Sequence, residues 1–165
     1  MTGVDVPILQ LTTLFTSNLW TTKTNEFNGR CFRNQRDGNT IPEVLNTALT
    51  TKIEYKEVLQ NDKFAAVCFF DVLNTRVIGK SKGTVQVNIH FAVNLETLYS
   101  SVDERQTEYA YQDVLDLIKT SSFEATGLVT GIESYSPFLF NVNDDMQPYH
   151  LFRIETELNY NIKNC

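Results

Sequence analysis

Hydrophobic and polar residues alternate over twelve consecutive positions in the segment 84–95, TVQVNIHFAVNL. A period of two residues is that of a β-strand, in which successive side chains point to opposite faces of the sheet. At about 3.3 Å per residue, such a strand extends over ~40 Å. One face is apolar and the other is polar but uncharged, so we expect the polar face to contact a partner. The candidate contact residues on this face are Gln86, Asn88, His90 and Asn94.

Two helices are indicated by apolar residues that recur three or four positions apart. Residues 5–20 show this spacing, and Pro7 suits a first helical turn. A second helix follows the long strand. Ser101 and Glu104 have the spacing of a capping box at its start, and the apolar stripe then continues to Ile118.

Further strand-like segments, separated by turn residues, indicate a sheet. Residues 136–149 are predicted to form an irregular loop. Together these elements predict an α+β fold with one mainly antiparallel sheet, a helix packed across the sheet and an N-terminal helix. We expect one domain over residues 1–165, in which the helix and an arginine-rich loop (1–40) precede an α+β core (41–165). The predicted strands other than the long one are 52–59, 63–72, 75–80, 125–135 and 150–162.

The arginine-rich segment 27–44, FNGRCFRNQRDGNTIPEV, is predicted to be a loop followed by a helical turn from Pro42. Its three arginines are three residues apart, and two phenylalanines lie between and before them. Such a segment can contact a phosphate backbone, stack on bases or bind a partner protein, and it can equally be a solvated connection. We prefer a contact with a partner protein. The candidate contact residues are Arg30, Arg33, Arg36, Phe27 and Phe32.

The charge of the chain is unevenly distributed. Residues 23–82 carry ten Lys and Arg against seven Asp and Glu, a net +3, whereas residues 83–165 carry four against twelve, a net −8. Asp5 completes the total of −6. This polarity suits contacts between unlike surfaces of neighbouring subunits better than the wrapping of bare nucleic acid.

No membrane segment is expected, because the apolar runs are far shorter than the ~20 residues that a membrane span needs. The N-terminal segment has no basic region followed by a cleavage site, so secretion is not indicated. The three cysteines have no C-x-x-C spacing, which indicates reduced thiols in place of a disulfide frame or a zinc site. They are Cys31, Cys68 and Cys165.

Residues for catalysis are sparse. His90 and His150 lie in predicted strands without metal-ligand spacing, and we expect His90 to be a surface or hydrogen-bonded residue. A carboxylate site around Asp71, Asp144 and Asp145 is the enzymatic alternative. The loop 141–145 is a candidate for binding a cation, although it has no EF-hand pattern. We therefore expect neither enzymatic activity nor a cofactor or metal.

Several segments together resemble a known group of proteins. They are VQVNIHFAVNL leading into DERQTEYAYQDVLDLI, then GLVTGIESY, and the closing MQPYHLFRIETELNYNI. Over roughly residues 40–163 this order resembles the small ring-forming neck proteins of tailed bacteriophages, the tail-terminator and head-completion group. The segments NGRCFRNQRDGNTIPEV and MQPYHLFRI also resemble homologues from crAss-like phages.

The resemblance implies a structural virion protein of the head–tail connector, or neck. Such proteins assemble in the host cytoplasm into rings of roughly six or twelve copies, which join the portal to the tail around the DNA channel. Genomic DNA passes through the ring without sequence-specific binding, and the arginine segment then faces either a neighbouring protein or the DNA. The polar face of the long strand becomes the candidate ring seam. The alternative function is a monomeric α+β ligand-binding or adaptor domain, with the loop 136–149 over a pocket.

Overall fold

A computed structural model describes residues 3–36, 39–46, 50–59, 61–78, 81–100, 105–131 and 149–161. The predicted α+β class is confirmed: seven strands form one mixed, mostly antiparallel sheet, and a helix precedes it. The elements in chain order are α1 (Asp5–Asn18), β1 (Asn25–Arg36), β2 (Asn39–Leu45), β3 (Lys52–Glu54), α2 (Tyr55–Leu59), β4 (Ala66–Ile78), β5 (Lys82–Asn94), α3 (Leu95–Leu98), α4 (Gln106–Lys119), β6 (Glu124–Thr130) and β7 (Tyr149–Asn161).

The strand order in the sheet is β3-β2-β1-β4-β5-β7-β6. β1 and β4 run parallel, and the other neighbouring strands run antiparallel. The centre of the sheet consists of β4, β5 and β7, which each have 13 residues. At about 3.3 Å per residue these strands span ~43 Å, so the long strand predicted from the alternation at 84–95 is confirmed. The last strand of the described chain, β7, lies between β5 and β6.

The first layer over the sheet is formed by α1 and α4. In α1, the spacing of Ile8, Leu11 and Phe15 places all three side chains on one buried face. Phe15 contacts aromatic rings from three strands. The centroid of its ring is 6.1 Å from that of Phe27 of β1, 6.3 Å from that of Phe70 of β4 and 5.6 Å from that of Phe91 of β5. The predicted N-terminal helix is thereby the main cover of this face.

The opposite face of the sheet has a core of its own. Alternation places Val67 and Phe69 of β4, Ala92 of β5 and Leu151 of β7 on this face, and all four are buried. This face is covered by α2 together with β1 and β2, which contribute the buried residues Cys31, Val44, Tyr55, Val58 and Leu59. The second core is the reason that both faces of β5 are buried over much of its length.

Other predicted elements needed correction. Residues 52–59 form only a three-residue strand and then α2, and the segments 63–72 and 75–80 belong to a single strand, β4. The predicted capping box at 101–104 and the predicted loop at 136–149, except for its last residue in β7, lie outside the described residues.

Candidate functional site

The arginine-rich segment is a β-hairpin, so its prediction as a loop and helical turn is wrong. β1 and β2 pair antiparallel, with Arg33 opposite Pro42 and Arg36 opposite Asn39. Pro42 fits in β2 because β3 pairs only with the residues after it, so its missing N–H group can face a side without a ladder partner. The backbone of Arg33 and Arg36 lies in the outer half of β1, while their side chains lie outside the described part of the structure.

Arg30 contacts the body of the fold. Its Nη1 atom is 3.8 Å from Oδ1 of Asp5 in the first turn of α1. Its guanidinium carbon is 4.9 Å from the centroid of the Phe32 ring, and Lys52 Nζ of β3 is 5.3 Å from the same centroid. Two cations therefore lie over the Phe32 ring, and Arg30 links β1 to α1. The structure separates this arginine from the two arginines near the tip of the hairpin.

Phe27 is a core residue. Only 4% of its surface is exposed, and its ring packs edge-on against Phe15. The expectation that Phe27 offers its ring to a partner or to DNA bases is therefore wrong. The physical reason is that α1 lies across the sheet at this point and takes up the apolar face of β1.

The predicted ring seam on the polar face of β5 is also corrected by the structure. Asn88 is 6% exposed and His90 only 1%, because the second core covers this face. Asn94 caps α3, where its side chain accepts a hydrogen bond of 3.0 Å from the backbone N–H of Thr97. Gln86 is exposed, and its Oε1 atom accepts a hydrogen bond of 3.3 Å from Asn74 Nδ2. Only the Gln86 end of this face is open to a partner in the single chain.

A buried histidine and an arginine are neighbours in the sheet where the second core ends. His90 lies between Phe69 of β4 and Arg153 of β7 in the strand register. Burial, and secondarily the positive charge of Arg153, lower the pKa of His90 to about 3. Arg153 in turn donates from Nη2 to Glu155 Oε1 at 2.7 Å. His90 is thus neutral at physiological pH and has the environment of an interior residue, so of its two predicted environments, surface or hydrogen-bonded, the surface one is wrong.

The carboxylate site proposed as an enzymatic alternative is only partly within the described residues. Asp71 is 6% exposed and lies opposite Asn88 in the middle of the sheet. Asp144, Asp145 and the loop 141–145 lie outside the described ranges. Among the residues that the structure describes, no three His, Cys, Asp or Glu side chains come together as they would to hold a metal ion.

The two described cysteines, Cys31 and Cys68, are buried and form no disulfide with each other. Burial raises the pKa of the Cys68 thiol well above its ordinary value. Both side chains pack as small apolar residues in the two cores.

A cluster that the sequence did not indicate joins α1, α3 and α4. Trp20 Nε1 donates to Tyr99 Oη at 2.8 Å and to Asp113 Oδ2 at 2.9 Å, and Tyr99 Oη donates to the same carboxylate oxygen at 2.6 Å. Trp20 has a φ of 49°, which is uncommon for a residue with a bulky side chain. Beside this cluster, a groove of about 400 Å³ is lined by Asn18, Leu19, Trp20, Asp113, Asp116, Leu117 and Thr120. Trp20 is 79 positions from Tyr99 and 93 from Asp113, so no local pattern reveals the cluster.

The uneven charge of the sequence becomes a polarity of the sheet. The basic segment 23–82 supplies β3, β2, β1 and β4, which form one side of the sheet, while the acidic segment 83–165 supplies nearly all of β5, and β7, β6, α3 and α4. Because the two halves of the chain do not interleave, a basic side lies next to an acidic side. Among the described residues, 23–82 carry nine Lys and Arg against six Asp and Glu, a net +3, and 83–161 carry three against seven, a net −4. The two ends of the molecule therefore differ in charge.

Comparisons of the chain with protein-family models, with curated proteins and with solved structures gave no match. Within the described ranges, no helix has both the length and the apolar character of a membrane-spanning segment.

Proposed function

We propose that this chain is a structural subunit of the neck of a tailed bacteriophage, where copies of it form a ring between portal and tail around the DNA channel. The resemblance of its sequence to ring-forming neck proteins motivates the proposal. The observation that carries it is the charge polarity of the sheet, with its basic strands on one side and its acidic strands on the other.

A ring requires two different surfaces on each subunit, because each copy contacts its neighbours head to tail. A basic end and an acidic end meet these requirements, since each end attracts the opposite end of another copy and repels its own kind. A symmetric dimer formed through one end alone would instead bring like charges together. The polarity thus favours a closed or open chain of subunits over a dimer.

The overall acidity suits a channel through which DNA moves. A wall with a net charge of −6 per subunit repels the phosphate backbone, so DNA does not adhere to it. The arginines near the tip of the β1–β2 hairpin, Arg33 and Arg36, supply a few positive charges. In this proposal they contact a neighbouring subunit, the portal or another neck or tail protein.

The native mass of the purified protein across a concentration series, with electron microscopy of the most concentrated sample, tests the proposal. We expect a closed ring of about six or twelve subunits, whose dissociation increases with salt because the contact is charged. A sample that is monomeric at every concentration is then mixed with the portal of the same phage. Failure to assemble both alone and on the portal would contradict the proposed function.

The alternative, a monomeric ligand-binding or adaptor domain, is favoured by one observation. The groove beside Trp20 has an aromatic wall and the exposed carboxylate of Asp116, which pairs with Lys119 at 2.9 Å, so a cationic ligand would take the place of Lys119. This function predicts a ligand-dependent rise in melting temperature with cationic compounds and a protein that stays monomeric. An Asp116→Asn variant should lose that rise, whereas ring assembly should not depend on this change.

A further inference from the structure

We propose that the open edge of β4 pairs with the outer edge of β6 of a second copy, so that the sheet continues from one subunit into the next. This inference rests on the proposed ring function, and it moves the seam from the polar face of β5 to two backbone edges.

The first edge is the second half of β4. β1 pairs with β4 only as far as Phe70, so residues 72–78 have a strand partner on one side only, β5, among the described strands. A bulge lies between Val72 and Asn74, and Leu73 at this bulge is 48% exposed. The backbone N–H and C=O groups along this edge can form hydrogen bonds with a further strand.

The second edge is β6, the last strand in the sheet order. β6 pairs on one side with β7, and no strand in the described part of the chain lies beyond it. Leu128 of β6 is 40% exposed. The strand EATGLVT contains neither Pro nor Lys, the residues that commonly prevent pairing at an exposed edge.

β3, the edge strand at the other end of the sheet from β6, is protected against pairing with a further strand. β3 has only three residues, and two of them, Lys52 and Glu54, are charged. A short, charged edge strand is a poor template for a further strand. The contrast points to β4 and β6 as the two edges that accept a neighbour.

Strand direction allows the two edges to pair. β4 runs parallel to β7 because both are antiparallel to β5, and β6 is antiparallel to β7. β6 therefore runs antiparallel to β4. Rotation about a ring axis along the strands does not change this relation, so β6 of one copy meets β4 of the next as an antiparallel partner.

Length and charge also match. Residues 72–78 and β6 both have seven residues, or ~23 Å of strand. Laid side by side in antiparallel order, the two segments place Leu73, near the start of the first, beside the half of β6 that contains Leu128. The same order brings Glu124, at the start of β6, to the end of β4, where Lys82 of β5 lies opposite Ile78. The pairing therefore places both exposed leucines at the seam and Glu124 near Lys82.

Chemical cross-linking of introduced cysteines tests this pairing. Leu73→Cys and Leu128→Cys are made separately and together in a Cys165→Ser background, in which Cys31 and Cys68 remain buried. After treatment with a short bismaleimide, we expect a mixture of the two single variants to give a covalent dimer and the double variant to give a ladder of multimers. The matched control pairs Leu128→Cys with Tyr109→Cys on α4, which is 47% exposed but lies off both edges, and should give no ladder.

A second measurement does not depend on thiol chemistry. Leu73→Lys or Leu128→Lys should raise the concentration at which the ring dissociates by about tenfold or more, while Tyr109→Lys leaves it unchanged. Circular dichroism should show that all three variants are folded, since each replaced residue is 40–48% exposed.

The outcomes separate this inference from the proposed function. A ring of normal mass without a product between positions 73 and 128 would overturn the edge pairing alone. A covalent dimer from Leu128→Cys by itself would show symmetric pairing of two β6 strands, which also overturns the edge pairing. Absence of any assembly, with or without portal, would overturn both.

Discussion

The ring of His90 on β5 stacks on the ring of Phe69 on β4, with centroids 5.0 Å apart and an interplanar angle of 18°. Both residues are almost completely buried. A histidine in this position is stable in its neutral form only, because burial and the charge of Arg153 oppose protonation.

His90 should make the protein sensitive to mild acid. Its pKa is about 3 in the folded chain, against 6.5 in the unfolded chain, so the unfolded state binds a proton first as the pH falls. Stability is therefore full above pH 6.5 and is lost as the pH falls below that value. The expected loss between pH 7 and pH 5 is about 2 kcal/mol. Urea denaturation at several pH values measures it, and His90→Gln should flatten the dependence.

His150 provides the comparison for this experiment. Partial burial lowers its pKa as well, so His150 acts in the same direction. A His150→Gln variant should retain most of the pH dependence that the His90→Gln variant loses. An NMR titration that finds His90 protonating near pH 6 would contradict the expected pH dependence.

Phe15 should be one of the most sensitive positions for stability. It is fully buried and contacts rings from β1, β4 and β5, so Phe15→Ala leaves a cavity between α1 and the sheet. We expect the free energy of unfolding to fall by about 3–5 kcal/mol, as measured by urea denaturation. The exposed Tyr109 serves as the control, with a change of about 0.5 kcal/mol or less in Tyr109→Ala. Equal effects of the two variants would show that α1 does not pack as described.

The arginines of the β1–β2 hairpin should have two different roles, Arg30 in stability and the pair Arg33 and Arg36 in assembly. Arg30→Ser removes the contacts with Asp5 and Phe32, so we expect a loss of about 1 kcal/mol in stability. The double variant Arg33→Ser, Arg36→Ser should preserve the melting temperature and weaken assembly. Calorimetry and native mass measured on the same samples distinguish the two effects. If the double variant assembles normally, the tip of the hairpin has no part in the ring.

Tyr99 should control both stability and fluorescence. Tyr99→Phe removes the hydroxyl that bonds Trp20 and Asp113, and we expect a loss of about 1–2 kcal/mol. Trp20 is the only tryptophan, so a shift in its emission reports on this cluster directly. Tyr109→Phe is the matched control, since Tyr109 is exposed on α4, and it should change neither quantity.

Alkaline pH should weaken the same cluster. Burial, followed by the hydrogen bond to Asp113, raises the pKa of Tyr99 above its ordinary value of 10. The unfolded chain therefore loses this proton first, so the contribution of Tyr99 is complete below pH 10 and declines above it. The decline should be smaller in Tyr99→Phe, and urea denaturation on both sides of pH 10 would detect it.

Sequence patterns predicted the elements whose residues repeat regularly. β5 was recognised from its alternation, and α1 from apolar residues three or four apart. The covering of the polar face of β5 was not predictable, because alternation describes one strand and contains no information about a second layer. Asn88 and His90 are polar residues in the interior, an exception to the pattern that made them candidates for the surface.

The β1–β2 hairpin was missed although a signal was present. Asp37 and Gly38 have the composition of a tight hairpin turn, but the flanking strand NEFNGRCFRNQR has few β-branched residues. The cluster of Trp20, Tyr99 and Asp113 depends on contacts between distant segments, and the open edges depend on strand order. Neither property is contained in a local pattern.

The position of β7 between β5 and β6 has a consequence for the synthesis of the protein. A ribosome makes β6 before β7, so the nascent β6 has no described strand to pair with until residues 149–161 emerge. Chains that stop before residue 149 leave β5 with one bare edge and leave β6 detached from the sheet. Incomplete chains are therefore excluded from any assembly that uses β6, and only a fully translated β7 makes the subunit competent to join one.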